Sequence, residues 1–196
     1  MGLADIFYKK EWPRPGIIQT VVFAVFVVAF WIYALSSKDG FLGLIDYFNL
    51  LMHEGGHIIF LPFGHTMHFL GGTLFQLLMP AILCVSFWRT NQPAGFAFSG
   101  LLFGENFLNI ARYVSDALDM ALPLIGGGEH DWNVLLGGTF LLQHCRLLGK
   151  ALNLFGWFVM ISFAAWYVSL YFRGSVTNRK AYCRFRGILA RNNGDF

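Results

Sequence analysis

The chain has 196 residues, of which 56% are hydrophobic, 18% aromatic and only 13% charged, against about 25% charged in soluble domains, so its composition excludes an ordinary water-soluble domain and points to a membrane-embedded one. The formal net charge of +3 argues against a nucleic-acid partner, because the excess gathers in Arg173, Arg179, Lys180, Arg184, Arg186 and Arg191, the pattern of a cytoplasmic tail held at anionic lipid. Cys84, Cys145 and Cys183 are far apart and form no CxxC spacing, so they suggest neither a disulfide framework nor a cysteine zinc site and read as structural.

Lys9, Lys10 and Arg14 precede an apolar run from Ile17 to Leu35. That run is too long for the core of a signal peptide and lacks a small-residue cleavage site, so it is expected to remain as the first membrane helix. A crossing needs about 20 apolar residues, and the sequence predicts further spans near 42–61, 68–88, 95–114 and 152–172. A shorter stretch at 134–149 contains Gln143, His144 and Arg146 and reads as an inward-packed span or an interfacial helix, since polar side chains in a span must face protein or water. The expected fold is therefore all-α, a polytopic transmembrane bundle of about six spans, or five if 134–149 is interfacial, with residues 1–172 as one domain and 173–196 as a basic tail. Basic residues outside the first and last spans put both termini on the cytoplasmic side, which six spans satisfy. Under that count the loop at 62–67 and the loop at 115–133 share one face. The second of these carries Pro123 and three glycines at 126–128, which forbid a continuous helix and predict a re-entrant or membrane-surface segment. Trp12, Trp31, Tyr33, Trp88, Trp166 and Tyr167 fall near span ends and suit interface belts.

The chemistry concentrates in HEGGH at 53–57. Histidines four apart share one helix face and can hold a single zinc, with the intervening Glu54 as general base. A Glu and two His are costly in an apolar span unless they bind or react; the plainer reading is a histidine pair satisfied by helix–helix hydrogen bonds. A catalytic zinc takes three protein ligands, and the loop supplies Glu129, His130 and Asp131 after its glycines. His130 is the expected third ligand beside His53 and His57, with Asp131 or Asp116 as alternates, and Asp131 can instead orient a ligand. A turn capping the next helix is the bland alternative for this triplet. In the span 95–114, Glu105, Asn109, Arg112 and Asp116 recur at helical steps and form one polar stripe that must point into the bundle. Asn106 or Asn109 can position a scissile carbonyl, Arg112 can stabilise an oxyanion and Asp116 can support a histidine ligand; a network that only joins helices is the competing role. His65, His68 and His144 read as interfacial or packing histidines, because the break at Pro62 to Gly64 turns the chain away from the 53–57 face. Haem is excluded, since His53 and His57 share a helix face and cannot take opposite sides of one ring.

With HEGGH in an apolar helix, the sequence resembles the intramembrane zinc metallopeptidases of the site-2 protease group. Gly72 and Gln76 in GGTLFQLLMP resemble that family's small-xxx-Asn element with Gln in place of Asn, while its LDG ligand motif has only Leu118-Asp119-Met120 as a counterpart. The set HEGGH, GGTLFQ, GENFLNIARYVSDA, LPLIGG and HDW is similar, more closely, to a family of small bacterial membrane proteins grouped with those peptidases. The resemblance implies a zinc-dependent intramembrane hydrolase of the bacterial inner membrane, a metallopeptidase acting on membrane-embedded peptides. The residues alone leave open a non-catalytic or structural membrane protein that uses the His site to fasten helices.

Overall fold

The computed structural model describes residues 12–37, 41–124 and 128–192, the stretch past 173 as backbone alone. Lys9, Lys10, Gly126, Gly127 and the side chains of the basic tail beyond Arg173 lie outside it. The helices are α1 (Ile17–Ser36), α2 (Leu44–Phe60), α3 (His65–Arg89), α4 (Pro93–Ser115), a short α5 (Asp131–Leu136) and α6 (Cys145–Asn192). No strand occurs among the described residues.

Local chemistry sets the ends. The Gln19 side chain accepts the Gly16 N–H at 3.0 Å before α1, and α4 opens on Pro93, whose missing N–H costs nothing at a first helical position. Between α2 and α3, Pro62 lies in a single 3-10 turn and Gly64 takes φ 97°, a left-handed conformation that glycine adopts without strain. The chain reverses there into a tight α2–α3 hairpin.

Three segments, Ile17–Ser36, His65–Arg89 and Leu142–Arg173, are long and apolar enough to cross a membrane. Their outer faces are apolar and exposed, as at Val22, Val25, Ile82, Leu154 and Phe158, whereas Asp46, Asn49, Gln76, Glu105 and Asn106 are buried. That inversion of the soluble pattern suits a lipid surround. α4 packs antiparallel on α6 through small residues: a Cβ on Gly156 lies 2.6 Å from the Gly104 carbonyl oxygen, and one on Gly104 lies 2.8 Å from that of Gly156. Where no hydrophobic effect drives helices together, such close backbone approach supplies the packing. α1 lies along α6, with Phe23 on Tyr167 at 4.3 Å and Trp31 near Trp157 at 6.0 Å, around a core of Val27, Leu101, Met160 and Ala164. Tyr167 is thus a core residue, not a member of an interface belt.

These pairings make α1, α3, α4 and α6 alternate in direction along the bundle. α2 does not return. Its start bonds to Asn109 near the end of α4 and its end meets the first turn of α3, so it stays within one end of the bundle. The segment 134–149 is also not a span, because α5 stops at Leu136, Gly138 adopts φ 76° and α6 begins only at Cys145. Of the five or six spans expected, three are matched by helices long and apolar enough to cross a membrane. Trp12 packs on Trp166 at 4.9 Å and Arg14 lies over Tyr171 at 4.6 Å, placing the residues just before α1 beside residues 166–171 of α6. At the opposite end the loop after α4 is shaped by Asp116, whose carboxylate accepts the N–H groups of Ala121 and Leu122, each at 3.0 Å.

Candidate metal centre

His53 and His57 lie one turn apart on α2 with ring centroids 4.8 Å apart. The glycines around them decide where the rings go. A Cβ on Gly56 falls 2.7 Å from the Gly71 carbonyl carbon, so α2 and α3 meet backbone to backbone, and a Cβ on Gly72 falls 2.6 Å from Cε1 of His53. The ring of His53 occupies the space that the missing Gly72 side chain leaves. Gly72→Ala should therefore displace that ring and weaken metal binding about 10–100-fold, the range seen when a ligand loses its orienting partner; competition with a chelating dye measures it, and unchanged affinity rejects this role.

Asp131, the first residue of α5, completes the cluster. Its Oδ2 lies 2.7 Å from Nε2 of His53 and 3.2 Å from Nε2 of His57, and the three donor atoms lie within 4.8 Å of one another. Among the described residues it is the one group of three such donors. Burial pushes the Asp131 carboxyl up, but contact with His53 and His57 outweighs this and holds it below its ordinary value, which keeps it a carboxylate. Its backbone N–H donates to the Tyr113 phenol oxygen at 3.2 Å, fixing the start of α5 against α4. His57 Nδ1 lies 2.8 Å from the carbonyl of His68, so it is the donor there. Once that ring gives up its Nε2 proton, as metal ligation requires, its lone pair faces a carboxylate oxygen that also needs a positive partner. A divalent cation among these donors satisfies both, and two imidazoles with one carboxylate are a zinc donor set. The residues present fit a metal ion.

The structure places the other expected ligands elsewhere. His130 is fully buried, but its Nδ1 accepts the Asn133 N–H at 3.3 Å as the cap of α5, its Nε2 faces Asp116 at 3.4 Å and its ring packs on Tyr113 at 4.2 Å. Asp131, one residue on, points into the site instead. Burial lowers the pKa of His130, consistent with a neutral capping ring. Asp116 holds the loop turn and is not part of the donor cluster.

A cavity of about 590 Å³ opens beside the donors, walled by Glu54, Asp46, Gln76, Asn109 and Arg112 and roofed by Leu122 to Leu124 of the loop. Gln76 donates to Asn109 Oδ1 at 2.9 Å, and Asn109 donates to Asp46 Oδ1 at 2.7 Å, a chain of amides ending on a carboxylate. Glu105 accepts from Asn49 at 2.9 Å and is fully buried away from the cavity wall. Asn106 donates to the Leu102 carbonyl at 2.8 Å within its own helix and does not reach the cavity. The stripe on α4 thus points inward as its spacing implies, with Asn109 and Arg112 on the cavity. Sequence reasoning did not single out Asp46 and Tyr113, and it read His68 as turned away from the 53–57 face; the reversal at Gly64 instead folds His68 back onto His57, with His57 Nδ1 2.8 Å from the His68 carbonyl and His68 Nδ1 3.0 Å from the His57 carbonyl. An acid seven positions before His53 in an apolar helix was a usable signal for Asp46; nothing in the sequence marked Tyr113.

No known family model, curated protein or solved structure matches this chain. The case for function therefore rests on the site itself.

Proposed function

We propose that this chain is a zinc-dependent intramembrane hydrolase, a metallopeptidase related to the site-2 proteases, embedded in a bacterial inner membrane with both ends on the cytoplasmic side. One observation carries the reading: His53, His57 and Asp131 converge at the wall of a cavity that also holds Glu54. When bound, the metal supplies Lewis acidity at the carbonyl to be cleaved. The protein's own groups do the rest. Glu54 accepts a proton from the attacking water and returns it to the leaving amine, while the Gln76 and Asn109 amides hold the substrate backbone in register and the Leu122 to Leu124 roof limits access of bulk water. Membrane lipids surround the bundle and a peptide enters the cavity; no nucleic acid is involved.

Because the donors join α2 to the loop, a non-catalytic role is the second reading: the metal would fasten the loop to the hairpin without turnover. Elemental analysis and hydrolysis assays on purified protein separate the two. The proposal expects one zinc per chain and peptide cleavage that a chelator abolishes. Stoichiometric zinc without cleavage favours the fastening role, and absence of retained metal removes both.

A further inference from the structure

Arg112 sits in the last turn of α4 with its side chain 26% exposed, lining the same cavity as the metal donors. Its guanidinium lies over the Phe41 ring at 5.4 Å, and Nη1 is 4.0 Å from Asp46 Oδ2, too far for a hydrogen bond. Asp46 is already satisfied: its two oxygens accept the Leu42 N–H at 2.5 Å and the Asn109 amide at 2.7 Å. Among the described residues no acceptor hydrogen-bonds to this guanidinium. Its five N–H groups form a fork matched to carboxylate or phosphate, and a cation with idle donors inside a bundle of apolar helices marks a functional site by default.

The other charged groups on the cavity are the carboxylates of Asp46, Glu54, Glu129 and Asp131. Glu54 and Asp131 belong to the metal end. Asp46, the residue beside Arg112, precedes His53 by seven positions on α2, a rise of roughly 10 Å, which matches about three residues of extended peptide. Phe41, Tyr47, Leu50 and Phe69 line the cavity and offer apolar contact to side chains. At about 590 Å³ it has the size of a small-ligand site, enough for a few residues and too small for a helix.

Resting on the hydrolase reading, the geometry points to Arg112 as the binding site for the free C-terminal carboxylate of a short peptide, held two or three residues beyond the amide presented to the metal centre. The substrate class is then a peptide end, not the middle of a membrane helix. Asp46 Oδ2, 4.0 Å from Nη1, balances the charge of the guanidinium without occupying an N–H group, and the fork stays open to the ligand.

The test measures binding of acetylated tetraleucine, as free acid and as C-terminal amide, to the full chain in detergent, metal-loaded and after chelation. The acid should bind about tenfold more tightly in both states, the gain of one charge-assisted pair. Arg112→Gln should erase the preference and Arg112→Lys retain part of it, with helicity and metal content unchanged. The assignment is overturned by equal binding of acid and amide, by a preference that survives Arg112→Gln or disappears on chelation, or by tighter binding of a short-chain phosphatidate than of the acid peptide. Zinc content and cleavage are read on the same samples. Discrimination through Arg112 in a protein with no zinc and no turnover upholds the carboxylate site and sinks the hydrolase; active zinc protein without discrimination does the reverse.

Discussion

Asp131→Ala is expected to lose the metal, while its neighbour His130→Ala keeps it. The two substitutions remove adjacent side chains from the same turn, yet only Asp131 has its carboxylate between the imidazoles, 2.7 and 3.2 Å from their Nε2 atoms. Loss of one of three donors should lower affinity by more than the roughly 10–100-fold that an orienting partner alone contributes, enough to leave purified protein substoichiometric. His130→Ala removes the cap on the Asn133 N–H, an effect of about 1 kcal/mol on stability, and should lower the melting temperature with zinc still at one per chain. Metal analysis beside a thermal melt reads both. Retention of zinc by Asp131→Ala together with its loss in His130→Ala would reverse the assignment made from the geometry.

That one-residue difference shows where sequence reasoning stopped. HEGGH was legible because helical periodicity alone puts positions i and i+4 on one face, and the α4 stripe was legible for the same reason. Spacing says nothing about which side chain of Glu129-His130-Asp131 turns inward, since that depends on where the next helix begins. Here His130 became the helix cap and its own ring nitrogen was consumed by the Asn133 N–H, leaving Asp131 as the first helical residue to face α2. The five or six expected spans are matched in part, by three helices long and apolar enough to cross a membrane. Residues 44–60 are apolar enough to pass as a crossing, but Asp46 is tied to Asn109 and His57 to His68, and those long-range bonds confine α2 to one end. At 134–149, read as an inward-packed span or an interfacial helix, the backbone conformations of Gly137 and Gly138 end α5. The paired glycines of HEGGH and GGTLFQ carried more than was read from them: their lack of side chains lets the α2 and α3 backbones touch and seats the His53 ring against Gly72.

Glu54→Gln should leave the metal in place and remove turnover. The side chain lines the cavity next to His53 but is not among the three converging donors, so an amide of the same shape leaves the donor set complete and zinc content at one per chain. What it removes is the ability to take a proton, which a general base contributes at about 10²–10⁴-fold in rate. The loss should appear in kcat, with substrate binding little changed, because the same cavity walls remain. Glu129→Gln is the matched control: it removes another carboxylate from the same cavity wall, on the loop instead of beside His53, and should cost less than tenfold. Equal losses for the two variants would mean that the cavity needs negative charge and not a base at Glu54. A drop below tenfold for Glu54→Gln, with zinc retained, would leave the metal as a fastener of loop to hairpin, since nothing else on α2 beside His53 can carry the proton.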